Sequence, residues 1–133
     1  MAPRTPAFPK SYTNRALRRA LETFAALPNR TTLDALLSAM RSGGIVVDIS
    51  GTTDRADPQV RTLLSTSGEL VLPLFTSLAE LRLAVPEEAR ATAQAMILPA
   101  ADALALVQTA DFVAVQFDAG SIAQVVKRDF VLA

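Results

Sequence analysis

The side chains of this chain that could do chemistry are serine, threonine, tyrosine, lysine, arginine and the carboxylates, because it contains no cysteine and no histidine. The chain alone therefore forms no disulfide, thiol nucleophile, zinc finger or imidazole base, and no Ser-His-Asp triad. Asp48 and Asp118 stand at strand positions and would suit a general acid or base if desolvated. The sequence places no second catalytic group at a fixed spacing from either carboxylate. We therefore expect no catalytic residues and no cofactor, and we expect that the protein is not an enzyme.

Three carboxylates lie in or beside the polar segment 50–58, at Asp48, Asp54 and Asp57. A metal bound here would have oxygen ligands only, which means Mg²⁺ or Ca²⁺. The alternate-position spacing and terminal glutamate of an EF-hand loop are missing. Asp54 and Asp57 are expected to form turns, and no metal site is predicted.

Two short polar segments each follow a strand and precede a helix in the expected order of elements. They are Phe75-Thr76-Ser77 and Asp118-Ala119-Gly120-Ser121. Unpaired N–H groups at such junctions can bind anions, although simple helix capping is the commoner role. The candidate surface for a ligand or a partner consists of Phe75, Thr76, Ser77, Asp118, Gly120 and Ser121.

The apolar run 70–75 that leads into the first of these segments predicts a strand covered on both faces. Pro73 cannot donate to a ladder, which points to an edge strand, a bulge or an N–H that faces away. Ser77 and Glu80 have capping-box spacing and predict a helix directly after the strand.

The elements before this strand read as a tail, two helices and a strand. Residues 1–13 hold three prolines without periodicity and are expected to be a flexible tail, with a transit peptide as the alternative. Asn14 should cap a helix to about Leu27, and Thr31 with Asp34 should form a capping box for a second one. The two helices suggest an αα-hairpin, and 45–49 is a β-branched strand.

The later elements are expected to alternate between strands and short helices. Strand 59–66 should pair with 70–75 around the Ser67-Gly68 turn. Residues 91–98 suit a strand or a helix, and we predict the strand; Pro99 should open a helix to about Gln108. Residues 111–118 alternate as a strand, Ser121 should cap another short helix, and Phe130 to Leu132 should form a final edge strand.

These elements predict one domain over residues 14–133 of the α+β (mixed α/β) class. An N-terminal helix pair should pack on a mostly antiparallel sheet, with short helices between the later strands. Lys plus Arg and Asp plus Glu both number 13, so the net charge is zero. Such a balance argues against nucleic-acid binding and gives no electrostatic reason to sit on a membrane. Arg15, Arg18 and Arg19 are expected to form a solvated face rather than a phosphate patch.

The chain shows no apolar run of membrane-spanning length and no signal peptide. Its lack of disulfides suits a cytoplasmic location, and its preference for arginine over lysine suggests a GC-rich bacterial genome.

The segment Leu72-Pro73-Leu74-Phe75-Thr76-Ser77, followed by a leucine-bearing helix, resembles the SseB N-terminal domain family of bacterial proteins. The order of elements from about Asn14 to the C-terminus agrees. Where the family's later strand typically ends in an Asn-Pro turn, this chain has Asp118-Ala119-Gly120-Ser121. The resemblance implies a mixed α/β domain, and it supplies no catalytic residues or cofactor.

Two functions remain after these exclusions. The favoured one is a non-enzymatic protein-interaction module with an unidentified protein partner or a second copy of itself. It would use an exposed strand near Phe130 or Pro73. The alternative is a small-ligand or anion-binding domain that uses the turns at 75–77 and 118–121.

Overall fold

The computed structural model of this chain describes Pro9, residues 11–54 and residues 56–133. Expectations that fall on residues 1–8, on residue 10 or on residue 55 lie outside the described part. The elements, in chain order, are α1 (Arg15–Ala26), α2 (Arg30–Ala39), β1 (Gly44–Asp48), β2 (Leu63–Leu64), β3 (Leu70–Phe75), α3 (Leu78–Ala84), a 3₁₀ helix (Glu87–Thr92), β4 (Ala95–Pro99), α4 (Ala100–Ala105), a second 3₁₀ helix (Leu106–Gln108), β5 (Phe112–Phe117), β6 (Gln124–Lys127) and α5 (Arg128–Leu132).

The strands form one six-stranded mixed sheet in the order β4-β1-β3-β5-β6, with the short β2 also paired to β3. Every pairing in the described residues is antiparallel except that of β3 with β5, which is parallel. The predicted α+β class and the mostly antiparallel sheet are therefore confirmed. The parallel pair brings the carboxyl ends of β3 and β5 together, with Leu74 beside Phe117.

Pro73 lies in a central strand, so the prediction of an edge strand here was wrong. Its strand changes partners around it: Leu70 and Val71 pair with β2, whereas Leu74 and Phe75 pair with β1. On this side of β3 the residue without an N–H therefore falls between two short ladders, and on the other side it lies opposite Gln116 of β5. Proline is tolerated at such a position within a sheet, because no hydrogen bond between strands is lost there.

The sheet is covered on both faces, which explains why β1 is buried at all five positions. The larger core packs α1 and α2 on one face and includes Leu17, Leu36, Val47, Leu74 and Phe117. The smaller core, on the other face, consists of Val46, Phe75, Leu81 and Val85, with α3 over the sheet. The N-terminal helix pair thus packs on the sheet as predicted.

Asn14 joins the start of α1 to the start of β1. Its Oδ1 accepts from the backbone N–H of Leu17, the N-cap bond that the sequence predicts. Its Nδ2 donates to the carbonyls of Ser42 and Gly44, at 3.1 and 2.9 Å. Only 4% of Asn14 is exposed. One side chain therefore caps a helix and anchors the chain that enters the sheet.

The chain just before Asn14 is held by the fold. The Tyr12 hydroxyl accepts from the N–H of Gly44 at 2.8 Å, and Thr13 forms an isolated bridge with Ser77. Tyr12 and Thr13, the last two residues of the predicted tail, therefore contact the folded domain.

The N-cap of the second helix lies two residues before the predicted N-cap, Thr31. Asn29 is its N-cap, and Asn29 and Thr32 each satisfy the other's backbone N–H. Asp34 instead forms an exposed ion pair with Arg30, one turn back. The prediction of Thr31 with Asp34 was wrong because the chain offers two overlapping capping patterns. The asparagine pattern starts the helix earlier and satisfies the same kind of backbone donor.

The middle of the chain contains less strand than the sequence predicts. The hairpin around Ser67-Gly68 is present, but its first strand is only Leu63–Leu64. The strand within 91–98 is confirmed from Ala95 onward, and a 3₁₀ helix occupies residues 87–92. Pro99 ends β4 and is the N-cap of α4, which begins at Ala100, one position later than predicted.

The C-terminal end corrects two further predictions. Ser121 starts no helix: the chain turns and forms β6, which pairs with β5. Residues 128–132 form α5 rather than a final strand, with Val131 buried against the larger core. Phe130 is therefore a half-exposed helix residue and offers no strand edge.

Among the described residues, no helix has the length and apolar character needed to cross a membrane.

We predict that Asn14→Ala lowers the free energy of unfolding by about 2–4 kcal/mol, since it removes an N-cap and leaves the buried carbonyl of Gly44 and the partly buried carbonyl of Ser42 without this donor. The matched control is Asn29→Ala, which removes an N-cap at an exposed position and should cost about 1 kcal/mol. Urea unfolding followed by circular dichroism gives both values. Equal losses for the two variants would contradict the anchoring role of Asn14.

Candidate functional site

The two turns predicted from sequence meet in the structure, because the parallel β3 and β5 deliver them to the same end of the sheet. The N–H of Asp118 donates to the carbonyl of Leu74 at 3.0 Å and extends the pairing past the strand ends. Thr76 and Asp118 are both buried, at 1% and 0% exposure. The convergence on which the ligand hypothesis depended is therefore present.

The Asp118 carboxylate accepts hydrogen bonds from polar groups of the first turn. Its Oδ1 accepts from the N–H of Thr76 and its Oδ2 from the Thr76 hydroxyl, each at 2.8 Å. The backbone N–H that an anion would need is thus already bound to an anion supplied by the chain itself. Asp118 has a φ of 51°, a left-handed conformation that aspartate tolerates better than most residues.

Arg18 supplies the counter-charge for Asp118. Its Nη1 lies 2.8 Å from Asp118 Oδ2, 3.1 Å from the Ser121 hydroxyl and 3.4 Å from Glu80 Oε1. Ser121 in turn donates to Glu80. Arg18 was expected on a solvated helix face with Arg15 and Arg19. The structure leaves those two exposed but turns Arg18 inward, with 26% of its side chain accessible.

The position of Arg18 has two opposing effects on its pKa. Burial is the largest single influence and disfavours the charged guanidinium. The hydrogen bond to Asp118 and the carboxylates of Glu80 and Glu22 act in the other direction, and together they raise the pKa above its ordinary value. A raised arginine pKa contributes stability that is fully present below the unfolded pKa. That stability is lost only in strong alkali, so the guanidinium gives no pH dependence between about pH 5 and 9.

The remaining predicted site residues, Ser77, Phe75 and Gly120, lie at or beside the ends of β3 and β5. Ser77 caps α3 through the N–H of Glu80, and only 8% of it is exposed. Phe75 lies in the smaller core. Gly120 packs so closely on the end of α3 that an added Cβ would lie 2.7 Å from the backbone nitrogen of Ala84. Phe75, Thr76, Ser77 and Asp118 are therefore buried, whereas Gly120 and Ser121 are exposed. We call Arg18, Thr76, Glu80, Asp118 and Ser121 the junction network.

Asp48 and Asp54, the carboxylates considered for acid–base or metal chemistry, have structural contacts. Asp48 is 2% exposed and accepts from the N–H of Ser50, with Arg61 at 4.0 Å. Asp54 accepts from the N–H of Ala56 and forms the expected turn. No cluster of three or more carboxylates in the described residues has the geometry to hold a metal ion.

The edge of β4 is a feature that sequence reasoning did not single out. Residues 94 and 100 exchange backbone hydrogen bonds with β1, through Ile49 N–H to Gln94 O and Ala100 N–H to Gly43 O. Antiparallel pairing alternates along a strand, so Ala95 and Ile97 direct their N–H and C=O groups away from β1. In the described part of the chain, β4 is the last strand on this side of the sheet.

A groove of about 330 Å³ runs beside this edge, on the face covered by α3. We call it the β4 groove. Its lining includes Val46, Leu78, Arg82, Ala93, Ala95 and Ile97. Because Ala95 and Ile97 belong to both the edge and the lining, a strand added to the edge would place side chains in the groove. The apolar, uncharged sequence Ala95-Met96-Ile97-Leu98 was the signal that could have revealed the edge.

In a comparison with protein families, the family described as the SseB protein N-terminal domain matches residues 17–132. The match covers nearly all of the described elements. Comparisons with curated proteins and with solved structures find no match.

We predict that Arg18→Met lowers the free energy of unfolding by about 1–3 kcal/mol, because it leaves the buried Asp118 carboxylate without its counter-charge. The control, Arg19→Met, changes an exposed arginine of the same helix and should cost under about 0.5 kcal/mol. Thermal and urea unfolding measure both. If Arg18→Met lowers the free energy of unfolding by no more than Arg19→Met does, the hydrogen bonds from Thr76 are enough to stabilise the buried Asp118 carboxylate.

The turn after β5 yields a second prediction, in which substitutions at two positions change the stability in opposite directions. Gly120→Ala should destabilise the fold by about 1–3 kcal/mol, since the new methyl group has no room against α3. Ala123 has a φ of 50°, so Ala123→Gly should be neutral or stabilise by up to about 1 kcal/mol. Urea unfolding of both variants tests the pair. An unchanged stability of Gly120→Ala would contradict the close packing.

Proposed function

We propose that this chain, which belongs to the SseB N-terminal domain family, is a non-enzymatic protein-interaction domain that binds an extended segment of a partner along the β4 edge. The observation that carries the proposal is the outward direction of the backbone groups of Ala95 and Ile97 at the end of the sheet. An added strand would bond to both residues, as in other cases of β-strand addition.

The composition of the two sheet edges favours β4 over β6. Natural sheets protect their edges with lysine, proline, bulges or very short strands. The edge strand β6 has four residues, includes Lys127 and runs directly into α5. The five residues of β4 include no charge, and its protection is Pro99 at the last position. An apolar edge of this length is an aggregation hazard unless it has a partner.

The junction network makes the alternative, an anion or small ligand at 75–77 and 118–121, the weaker proposal. The N–H and hydroxyl of Thr76 are both bound to Asp118. In addition, α3 has only seven residues, so its N-terminus has a weak dipole to offer. We place the interaction domain in the bacterial cytoplasm, on the grounds of its disulfide-free and arginine-rich sequence.

The test is a comparison of β4 variants that keep or remove one outward N–H group. Ala95→Pro removes the donor at a position that does not bond to β1, so the domain should still fold. Ala95→Ser, the matched control, changes the side chain and keeps the N–H. Val125→Lys places a charge on the exposed part of β6 instead.

Each tagged variant is purified from the native host, and its associated proteins are quantified by mass spectrometry. We expect a stoichiometric partner with the wild type, Ala95→Ser and Val125→Lys, and at least a tenfold loss with Ala95→Pro, since one strand hydrogen bond and the fit of the added strand disappear. Circular dichroism verifies that Ala95→Pro is folded. A partner that Ala95→Pro retains, or a wild type that purifies alone, would overturn the proposal.

A further inference from the structure

Arg82 introduces a positive charge into a groove whose other lining is mainly apolar. It lies on α3, and Leu78, Val46 and Ile97 line the same groove. In the described residues, no carboxylate lies within 4.0 Å of the Arg82 guanidinium, although five other ion pairs satisfy that distance. The β4 groove thus combines apolar surface with a cation whose charge is not neutralised by a neighbouring acid.

A second arginine lies near Arg82, although it does not line the groove. Arg90 Nε donates to the backbone carbonyl of Arg82 at 2.9 Å, which brings its guanidinium to the C-terminal end of α3. Arg90 likewise has no carboxylate within ion-pair distance among the described residues. The acidic Glu87 and Glu88 lie on the same 3₁₀ helix and are exposed. Of these four charged side chains only Arg82 lines the groove, and a cation there favours a negatively charged occupant.

The pairing at the β4 edge determines which side chains of an added strand reach the groove. Side chains alternate between the two faces of a sheet, so positions i and i+2 of the strand lie on one face. The side chains of Ala95 and Ile97 lie on the face that carries the groove, since both pack on the smaller core beneath α3. A strand beside them would place every second side chain over the groove and toward Arg82.

We propose that the β4 groove selects an extended partner segment with an apolar residue and an aspartate or glutamate two positions apart. The apolar side chain fills the groove of about 330 Å³ between Val46, Leu78 and Ile97. The carboxylate pairs with Arg82. This inference rests on the proposed strand addition to β4 and adds the chemistry of the partner.

The test uses designed nine-residue peptides of alternating valine and threonine, acetylated and amidated so that their ends carry no charge. A central leucine is followed two positions later by glutamate, glutamine or lysine. A fourth peptide carries glutamine and a free C-terminal carboxylate. Binding to the full chain is measured by fluorescence anisotropy at low and at high salt.

We expect the glutamate peptide to bind about tenfold more tightly than the glutamine peptide, and the difference to shrink at high salt. Arg82→Gln should abolish the difference, and Arg82→Glu should favour the lysine peptide. Arg19→Gln, which removes an exposed arginine from α1, is the control and should leave the preference intact. Ala95→Pro should weaken binding of all four peptides alike.

The possible failures separate this inference from the proposed function. Equal binding of the glutamate and glutamine peptides, with a loss on Ala95→Pro, would overturn the charge preference and leave strand addition in place. Tightest binding of the peptide with the free carboxylate would overturn the assignment to an internal side chain. No binding of any peptide would overturn this inference, and the purification of the Ala95 variants would then decide the proposed function independently.

Discussion

The buried carboxylate of Asp118 is the group on which the rest of this fold depends. A charge without solvent contact must be paired and hydrogen-bonded, and Asp118 finds its partners on two other segments. Thr76 supplies two donors from the end of β3, and Arg18 supplies the charge from α1. One side chain therefore joins the N-terminal helix pair to the two strands that run parallel at the centre of the sheet.

Under the proposed function, this junction serves the structure of the domain and a different edge of the sheet would serve binding. The two strand ends that sequence analysis selected as a candidate surface hold each other, and their strongest donors are used internally. On the far side of β1, the β4 edge has backbone groups directed outward and a groove alongside. The molecule is thus polar and closed at the junction network, and apolar and open at β4, where an added strand would extend the sheet.

Much of the local structure could be predicted because its causes are local. Asn14 caps α1, Ser77 caps α3, and the alternation of residues 112–117 forms a strand. The errors came from competition between equally local signals. Asn29 displaced the predicted capping box, and the apolar residues after Lys127 formed a helix that buries Val131 rather than an edge strand. In each case packing chose between conformations that the sequence permits almost equally.

The sequence by itself determined that this chain lacks thiol and imidazole chemistry, that its fold is of the α+β class, and that it resembles the family whose model matches residues 17–132. These follow from composition and short-range spacing. Only the tertiary structure decided that Arg18 faces Asp118 across a hundred residues of chain and that Pro73 lies between two ladders. It also decided that β4 ends the sheet. Pairing and strand order depend on contacts between distant segments, and no local pattern encodes which segments meet.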